Sequence, residues 1–553
     1  MIDPKTEPNT VDQNTVDQNT VDQNTVDQNT VYERRWWTLA VLCLSLVIVF
    51  VGNSSLNVAI PVLSRELHAT TSQLQWVVAI YSLVFAGLLF STGALGDRFG
   101  RKGVLQLGLL LYLVGAGMAT LSTAMWQLIA CRAVMGAAAA LIMPSTLSIL
   151  INVFPPEERT KAIAIWASFT GAAGAIGPPI SGWLLGHFWY GSIFFINVPL
   201  ITLALVAGRF LVPTSRDPKE APLDPVGAGL SIIGIVSLVY GLIEAPTEGW
   251  MSPATLGAFV IAVTVLVLFA LWELHVDEPM LDIRYFRNAA FTTGTAGMML
   301  IFLGMYGVMF LLTQYFQLVL GLSALGAAIR LLPMPPIMLI VSPLTPRLSA
   351  RFGPPRVVAT GMLLVLVGFL MFTGLSPHTA YPYVLACLVP FIVGMALTMS
   401  PMTASIMSAV PSRRAGAGSA MNDASRELGA ALGVAVLGSV AASRYASALA
   451  GSTTHLPAAM HHQARSSLTG ALQVAAQLPH RAGVLLQHGA DIAFVQGIHV
   501  ACFVGATLAG LATVLVLRYL PAGATVHADA HAELEEFPLE GRDGLEVTPA
   551  LAD

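Results

Sequence analysis

From Trp36 to Tyr519 the chain is a succession of apolar runs, each long enough to cross a bilayer, joined by short polar connections. A helix rises about 1.5 Å per residue, so about 20 apolar residues span the hydrocarbon layer. Crossings are read near 37–60, 73–95, 104–124, 126–150, 161–186, 192–212, 225–244, 254–273, 290–312, 325–346, 357–376, 382–408, 415–442 and 493–517, about 14 in all. The runs are continuously apolar rather than alternating, which favours helices over a membrane barrel. Charged residues make up 10% of the 553, and the mean hydropathy is +0.72. Soluble domains carry about a quarter, so an ordinary water-soluble protein is excluded.

The formal charge of −4 is unevenly distributed. Residues 1–33 hold seven acids and one base, residues 521–553 eight acids and one base, and the body between them is +9. The first segment repeats TVDQN four times from Thr10 to Asn29. Both ends read as disordered tails, because neither has an apolar face to bury. With the N-terminus inside, inner loops collect Arg34, Arg35, Arg98, Arg101, Lys102, Arg159, Lys161, Arg209, Arg216, Lys219, Arg284, Arg287, Arg347, Arg351, Arg356, Arg413, Arg414 and Arg518. That asymmetry, with an even span count, places both termini in the cytoplasm. Segment 443–492, rich in Ala, His and Gln, reads as a long outer loop with some amphipathic helix.

Cys43, Cys131, Cys387 and Cys502 lie far apart in apolar stretches and read as packing residues. His455, His461 and His462 lack an accompanying Cys or carboxylate at ligand spacing and read as solvated loop, so no metal is expected. There is no phosphate-binding loop, nucleophile elbow or HExxH, which argues against an enzyme and against ATP as the energy source.

The sharpest motif joins the second and third runs: Gly93-Ala-Leu95-Gly-Asp97-Arg98-Phe-Gly100-Arg101-Lys102. It returns in degraded form as Leu348-Ser-Ala350-Arg351-Phe352-Gly353. Two similar turns at equivalent places indicate a duplicated helical bundle, a common transporter plan. Within the runs, Arg132 is an intramembrane cation that needs partners or water. Asp423 and Glu427 are i,i+4 neighbours, with Arg426 beside them. A carboxylate withdrawn from water beside a cation can exchange a proton in the working range, though these groups can equally form a structural ion-pair knot.

GALGDRFGRK resembles the signature loop of the major facilitator superfamily. Leu128-Ile-Ala-Cys-Arg132-Ala-Val-Met-Gly136, and the run Gly171-Ala-Ala-Gly174-Ala-Ile-Gly177-Pro178-Pro-Ile-Ser-Gly182, resemble its 14-span drug:proton antiporter branch (EmrB/QacA type). So do Leu56-Asn57-Val-Ala-Ile-Pro61, Tyr315-Phe-Gln317 and Asn422-Asp423-Ala-Ser-Arg426-Glu427-Leu-Gly429. The resemblance covers Trp36 to Tyr519 apart from 443–492.

It implies an all-α polytopic membrane protein with two six-helix bundles related by internal repeat, plus two extra central helices. The corresponding segments are a tail at 1–33, bundles at 34–212 and 290–520, extra helices and loops at 213–289, and a tail at 521–553. It further implies proton-driven export of small amphipathic drugs by a monomer in the plasma membrane, with no cofactor and no nucleic acid. An endogenous metabolite, siderophore or lipid is the alternative cargo, and a polytopic membrane enzyme is a more distant one.

Residue by residue, the resemblance makes Gly93, Asp97, Arg98, Gly100 and Arg101 a conformational-switch loop. Gly174, Gly177, Pro178 and Gly182 become the kinked antiporter-motif helix. Arg132 resembles the family arginine that assists proton movement, or it is a helix–helix hydrogen-bond post. Asp423, Glu427 and Arg426 are coupling candidates. Asn53, Asn57, Tyr81, Trp166, Tyr306, Tyr315 and Gln317 are candidates to line a cavity, alongside Met305 and Met309. The branch usually carries an aspartate in the first span, where this chain has Gly52 followed by Asn53. Glu244, at the outer end of the seventh span, reads as an interface residue.

Overall fold

The computed structural model describes residues 13–213, 224–276, 279, 281–410 and 415–521. Among the described residues there are helices and turns and no strand. The first half comprises α1 (Gln13–Glu66), α2 (Thr71–Phe99), α3 (Arg101–Thr120), α4 (Met125–Val153), α5 (Pro156–His187), α6 (Ser192–Phe195) and α7 (Asn197–Leu211). Next come α8 (Pro225–Glu248) and α9 (Pro253–His275). The second half is α10 (Ala289–Gln314), α11 (Ala324–Leu331), α12 (Met334–Val341), α13 (Thr345–Phe352), α14 (Pro354–Phe372), α15 (Tyr381–Ser408) and α16 (Ala415–Leu449). It ends with α17 (Ala458–Ser466), α18 (Leu468–Gln477) and α19 (His480–Tyr519). By length and composition, 13 described helical stretches can cross a membrane, with α6–α7 and α11–α13 each forming one crossing. The 32-residue α5 completes the series.

Helix starts are set by short polar side chains: Asp224, Ser252, Asn288 and Ser323 each accept a hydrogen bond from a first-turn N–H. Pro225 and Pro253 occupy positions where no donor is lost. Gly100 and Gly353 take φ of 94° and 83° at the starts of α3 and α14. The two motif turns therefore share a left-handed hinge that glycine adopts without strain.

The internal repeat is visible in the packing. In the first half α1 packs on α5, α2 and α3 on α4, and α3 on α7. In the second half α10 packs on α16, α12–α13 and α14 on α15, and α14 on α19. The halves meet through the symmetric pairs α2–α16 and α5–α11, and α8 lies over the α2–α16 seam.

Glycines let these helices touch. A Cβ at Gly136 would collide with the Tyr81 carbonyl, and one at Gly433 with that of Leu303. At the seam, a Cβ at Gly182 would come within 2.7 Å of the Leu325 backbone. Gln75 of α2 donates to the Val434 carbonyl at 3.0 Å, and Gln317 donates to the Val58 carbonyl at 2.8 Å. These contacts lie towards the face away from the basic loops.

Two segments differ from the sequence reading. The first helix begins at Gln13, so the backbone of 13–33 is helical where a disordered tail was expected. No glycine or proline interrupts the chain from Gln13 to Val51, so nothing stops propagation out of the apolar run. Residues 1–12 and 522–553, including nearly all of the acidic C-terminal segment, lie outside the described residues. Segment 443–492 is mostly helix rather than loop. The chain continues as helix to Leu449, folds into α17 and α18, and resumes helix at His480. This cap is buried at Ala464, Leu468, Ala471 and Val474. It crosses the seam: Thr71 donates to the Ser466 carbonyl at 3.0 Å, and Gln473 meets His68 at 3.1 Å.

Replacing Gly136 by alanine should destabilise the fold by about 1–3 kcal/mol, because α2 and α4 must separate. Gly117→Ala, where a Cβ meets nothing within 4 Å, should leave the thermal unfolding midpoint unchanged. Equal midpoints for the two variants would remove the close-approach argument.

Candidate functional site

Among the described residues Arg132 is the largest fully buried side chain, at 0% exposure about two turns into α4. The close approach at Gly136 brings α2 within its reach. Its Nε donates to the Val77 carbonyl at 3.2 Å, and its Nη2 donates to Asn53 Oδ1 at 2.9 Å. The guanidinium lies 4.2 Å from the centroid of the buried Tyr81 ring, a cation–π contact that gains strength away from water. Its Nη1 has no hydrogen-bond partner.

Asn53 also links the halves, since its Nδ2 donates to the Tyr306 hydroxyl of α10 at 3.4 Å. Arg132, Asn53 and Tyr306 thus form a polar chain from one bundle into the other.

The carboxylates come from the second half. Asp423 accepts from Arg426 Nη1 at 3.4 Å, and that guanidinium lies 4.9 Å from the centre of the Phe302 ring. Asn422 accepts from Thr403 at 3.0 Å, which ties α16 to α15. One turn further, Glu427 faces Ser82 of α2 and interacts electrostatically with Arg426, Asp423 and Arg132. Its Oε2, like Asn57 Oδ1 and the Tyr81 hydroxyl, is buried without a hydrogen-bond partner. Two arginines and two carboxylates, all in predicted crossings, therefore share one polar cluster between the bundles.

The structure also explains Gly52. A Cβ there would collide with the Tyr112 hydroxyl, which points to the Ile48 carbonyl at 3.4 Å. The space beside Gly52 is filled by a tyrosine from α3.

Other sequence candidates separate into different settings. Tyr315 is fully buried and donates to the Ser376 carbonyl at 2.6 Å, so it packs inside the second half. Gln317 belongs to the seam, and Trp166 donates to Thr146 within the first half at 3.3 Å. Met305 packs half-buried against the core, and Met309 is buried in it. Gly177 is where α5 presses on Ser54 and Val51 of α1, and Gly182 is where α5 presses on α11. A Cβ at Gly174 would meet nothing within 4 Å, and Pro178 is half-buried one residue beyond Gly177. Gly93, Asp97 and Arg98 lie in α2, and their side chains are outside the described residues.

Glu244 accepts from Ser72 and from Trp76 Nε1, pinning α8 to α2 beside the seam. Near the basic face, Arg35 and Glu158 pair at 2.8 Å between α1 and α5. Among the described residues, no group of three or more His, Cys, Asp or Glu side chains is placed to hold a metal. Sequence reasoning overlooked Gln75 and Ser82. Each is a polar residue interrupting an apolar run, which was the available signal.

The Major Facilitator Superfamily family model matches residues 42–434. The chain is similar to the multidrug efflux pump LfrA of Mycolicibacterium smegmatis, at 34% identity over 87% of this chain and 96% of that protein. It is also similar to the tetracenomycin C resistance and export protein of Streptomyces glaucescens, at 31% identity over 92% and 94%. Among solved structures, it resembles a bacterial homologue of the human lysosomal transporter Spinster, in an inward-facing and unoccupied conformation. That likeness has a TM-score of 0.63 at 17% identity, covering 88% of this chain and 98% of that one, and it concerns the fold. With the match spanning most of the chain on a duplicated helical architecture, the protein belongs to the major facilitator superfamily and is a transporter rather than an enzyme.

Proposed function

We propose that this chain is a proton-driven exporter of small amphipathic drugs or toxic compounds, of the 14-span antiporter branch, working as a monomer in the plasma membrane with both termini cytoplasmic. The observation that carries the proposal is the cluster between the bundles. A fully buried arginine with one unpaired nitrogen interacts across the seam with a glutamate that has one unpaired oxygen. Such a cluster is costly as mere packing, because a charged residue inside a membrane helix is expensive without compensation, up to about 2.5–3.5 kcal/mol for an arginine at the helix centre.

With both acids ionised the cluster is balanced, and each proton taken up by Glu427 or Asp423 adds one positive charge. A cationic or strongly hydrogen-bonding substrate then competes with the proton for the same field, which is what exchange requires. Each proton crossing 100 mV supplies about 2.3 kcal/mol. The contacts towards the capped face describe one state of an alternating-access cycle, and breaking the α2–α16 and α5–α11 seams gives the other. The drug-export assignment draws further support from the LfrA pump and the tetracenomycin C export protein. Because Gly52 takes the place of the span-one acid and Tyr112 fills the space beside it, dicationic drugs should be weaker cargo than monocations and neutral amphipaths.

In proteoliposomes with an imposed pH gradient, Glu427→Gln should lower gradient-driven accumulation at least tenfold, and Asp423→Asn by a smaller factor. Full accumulation in both variants would remove these residues from coupling. No response of the wild type to pH or potential would remove the antiport reading itself. For orientation, a cysteine introduced at Arg356 should react with membrane-impermeant maleimide only after cells are opened, and one at His462 in intact cells. The reverse pattern would invert the topology.

A further inference from the structure

A groove of about 320 Å³ runs between the start of α10 and the end of α19, at the end of the second half where the basic loops lie. It lies away from the cluster around Arg132. Thr293 in its wall and Phe302 beside Arg426 are nine residues apart on α10, which at about 100° per residue puts them on opposite sides of the helix.

The wall is almost wholly carbon. Small residues such as Ala296 hollow it, Leu515 closes one side, and Phe286 and Tyr519 stand at its end. Its two threonines present methyl groups, because the Thr292 hydroxyl is bonded to the Phe286 carbonyl and the Thr293 hydroxyl to that of Ala289. In a bilayer such a furrow is not left empty, since a void forfeits the dispersion contacts of every atom that lines it.

What fills it is indicated by the charges that adjoin its lining residues in the chain. Arg287 is exposed and follows Phe286 directly. The Arg518 guanidinium lies over the lining ring of Tyr519, 5.8 Å from its centre. Arg284 is exposed in the same 3-10 turn, Ile283–Arg287. Among the described residues, the acid nearest in sequence to this turn is Asp282, whose carboxylate caps it by accepting from the Arg284 N–H. A carbon-lined furrow flanked by arginines at the basic end of the bundle matches one molecule chemically: a lipid with an acyl chain and a negative headgroup.

We propose that this groove is a binding site for one anionic phospholipid of the leaflet on the basic side. An acyl chain lies along Ala296 and Leu515, and the phosphate sits on Arg287 and Arg518. The site is separate from the transport cluster and does not depend on what the protein exports.

The test uses the full-length chain, delipidated in detergent and titrated with dioleoyl phosphatidylglycerol or dioleoyl phosphatidylcholine, with bound lipid counted by native mass spectrometry. Wild type should retain phosphatidylglycerol in preference to phosphatidylcholine. The double variant Arg287→Ala/Arg518→Ala should lose that preference by ~30-fold while its unfolding midpoint in phosphatidylcholine stays unchanged. Ala296→Trp, which fills the furrow, should lose the retained molecule of either lipid. Equal retention of the two lipids by wild type, or an unaltered preference in the double arginine variant, would overturn the proposal.

Discussion

A guanidinium sealed inside a membrane protein governs much of this structure. Arg132 cannot be left alone in hydrocarbon, and among the described residues its hydrogen bonds go to neutral groups, Asn53 and the Val77 carbonyl. Those bonds require α1, α2 and α4 to converge at one height. Convergence requires glycine at 136, where any side chain would strike α2. The aromatic face of Tyr81 covers the charge, and Tyr112 from α3 closes the space beside Gly52. The first bundle is thus arranged around one cation that its own neutral ligands leave uncompensated. Glu427, supplied by the other bundle, faces that cation electrostatically.

That division between halves gives the seam its importance. A charge in one rigid bundle and its counter-charge in the other make their interaction depend on how the bundles sit. Backbone carbonyls and glycines build the rest of the seam: Gln75 on Val434, Gln317 on Val58, Gly182 against Leu325. Such contacts are short and directional, each setting one side chain or one glycine against backbone. They suit a surface that must form and separate repeatedly. The α17–α18 cap and Glu244 of α8 add polar ties on the same side of the molecule.

Much of the fold was legible in the sequence because hydrocarbon leaves so few options. Apolar runs of crossing length, their number, and the duplicated glycine turns at 100 and 353 follow from hydropathy and backbone freedom alone. The helix over 443–492 was less legible, since its alanine-rich, polar composition suits a solvated loop as well as a helix that buries Ala464 and Ala471 against its neighbours. At the site, Arg132, Asp423 and Glu427 stood out because charge is rare in such runs. What could not be read was partnership. Nothing local says that Asn53 will hold Arg132, that Tyr315 will face Ser376 rather than a cavity, or that Tyr112 will occupy the space beside Gly52. Those facts depend on helix rotation and crossing, which are set by contacts hundreds of residues apart.

The central claim is that substrate and proton compete for the cluster containing Glu427. It is tested most directly by adding an amphipathic drug to purified, weakly buffered protein and following proton release with a pH-sensitive dye. The account predicts release on binding by wild type and none from Glu427→Gln, although that variant still binds the drug. Binding without proton release in wild type, or undiminished release from Glu427→Gln, would contradict it.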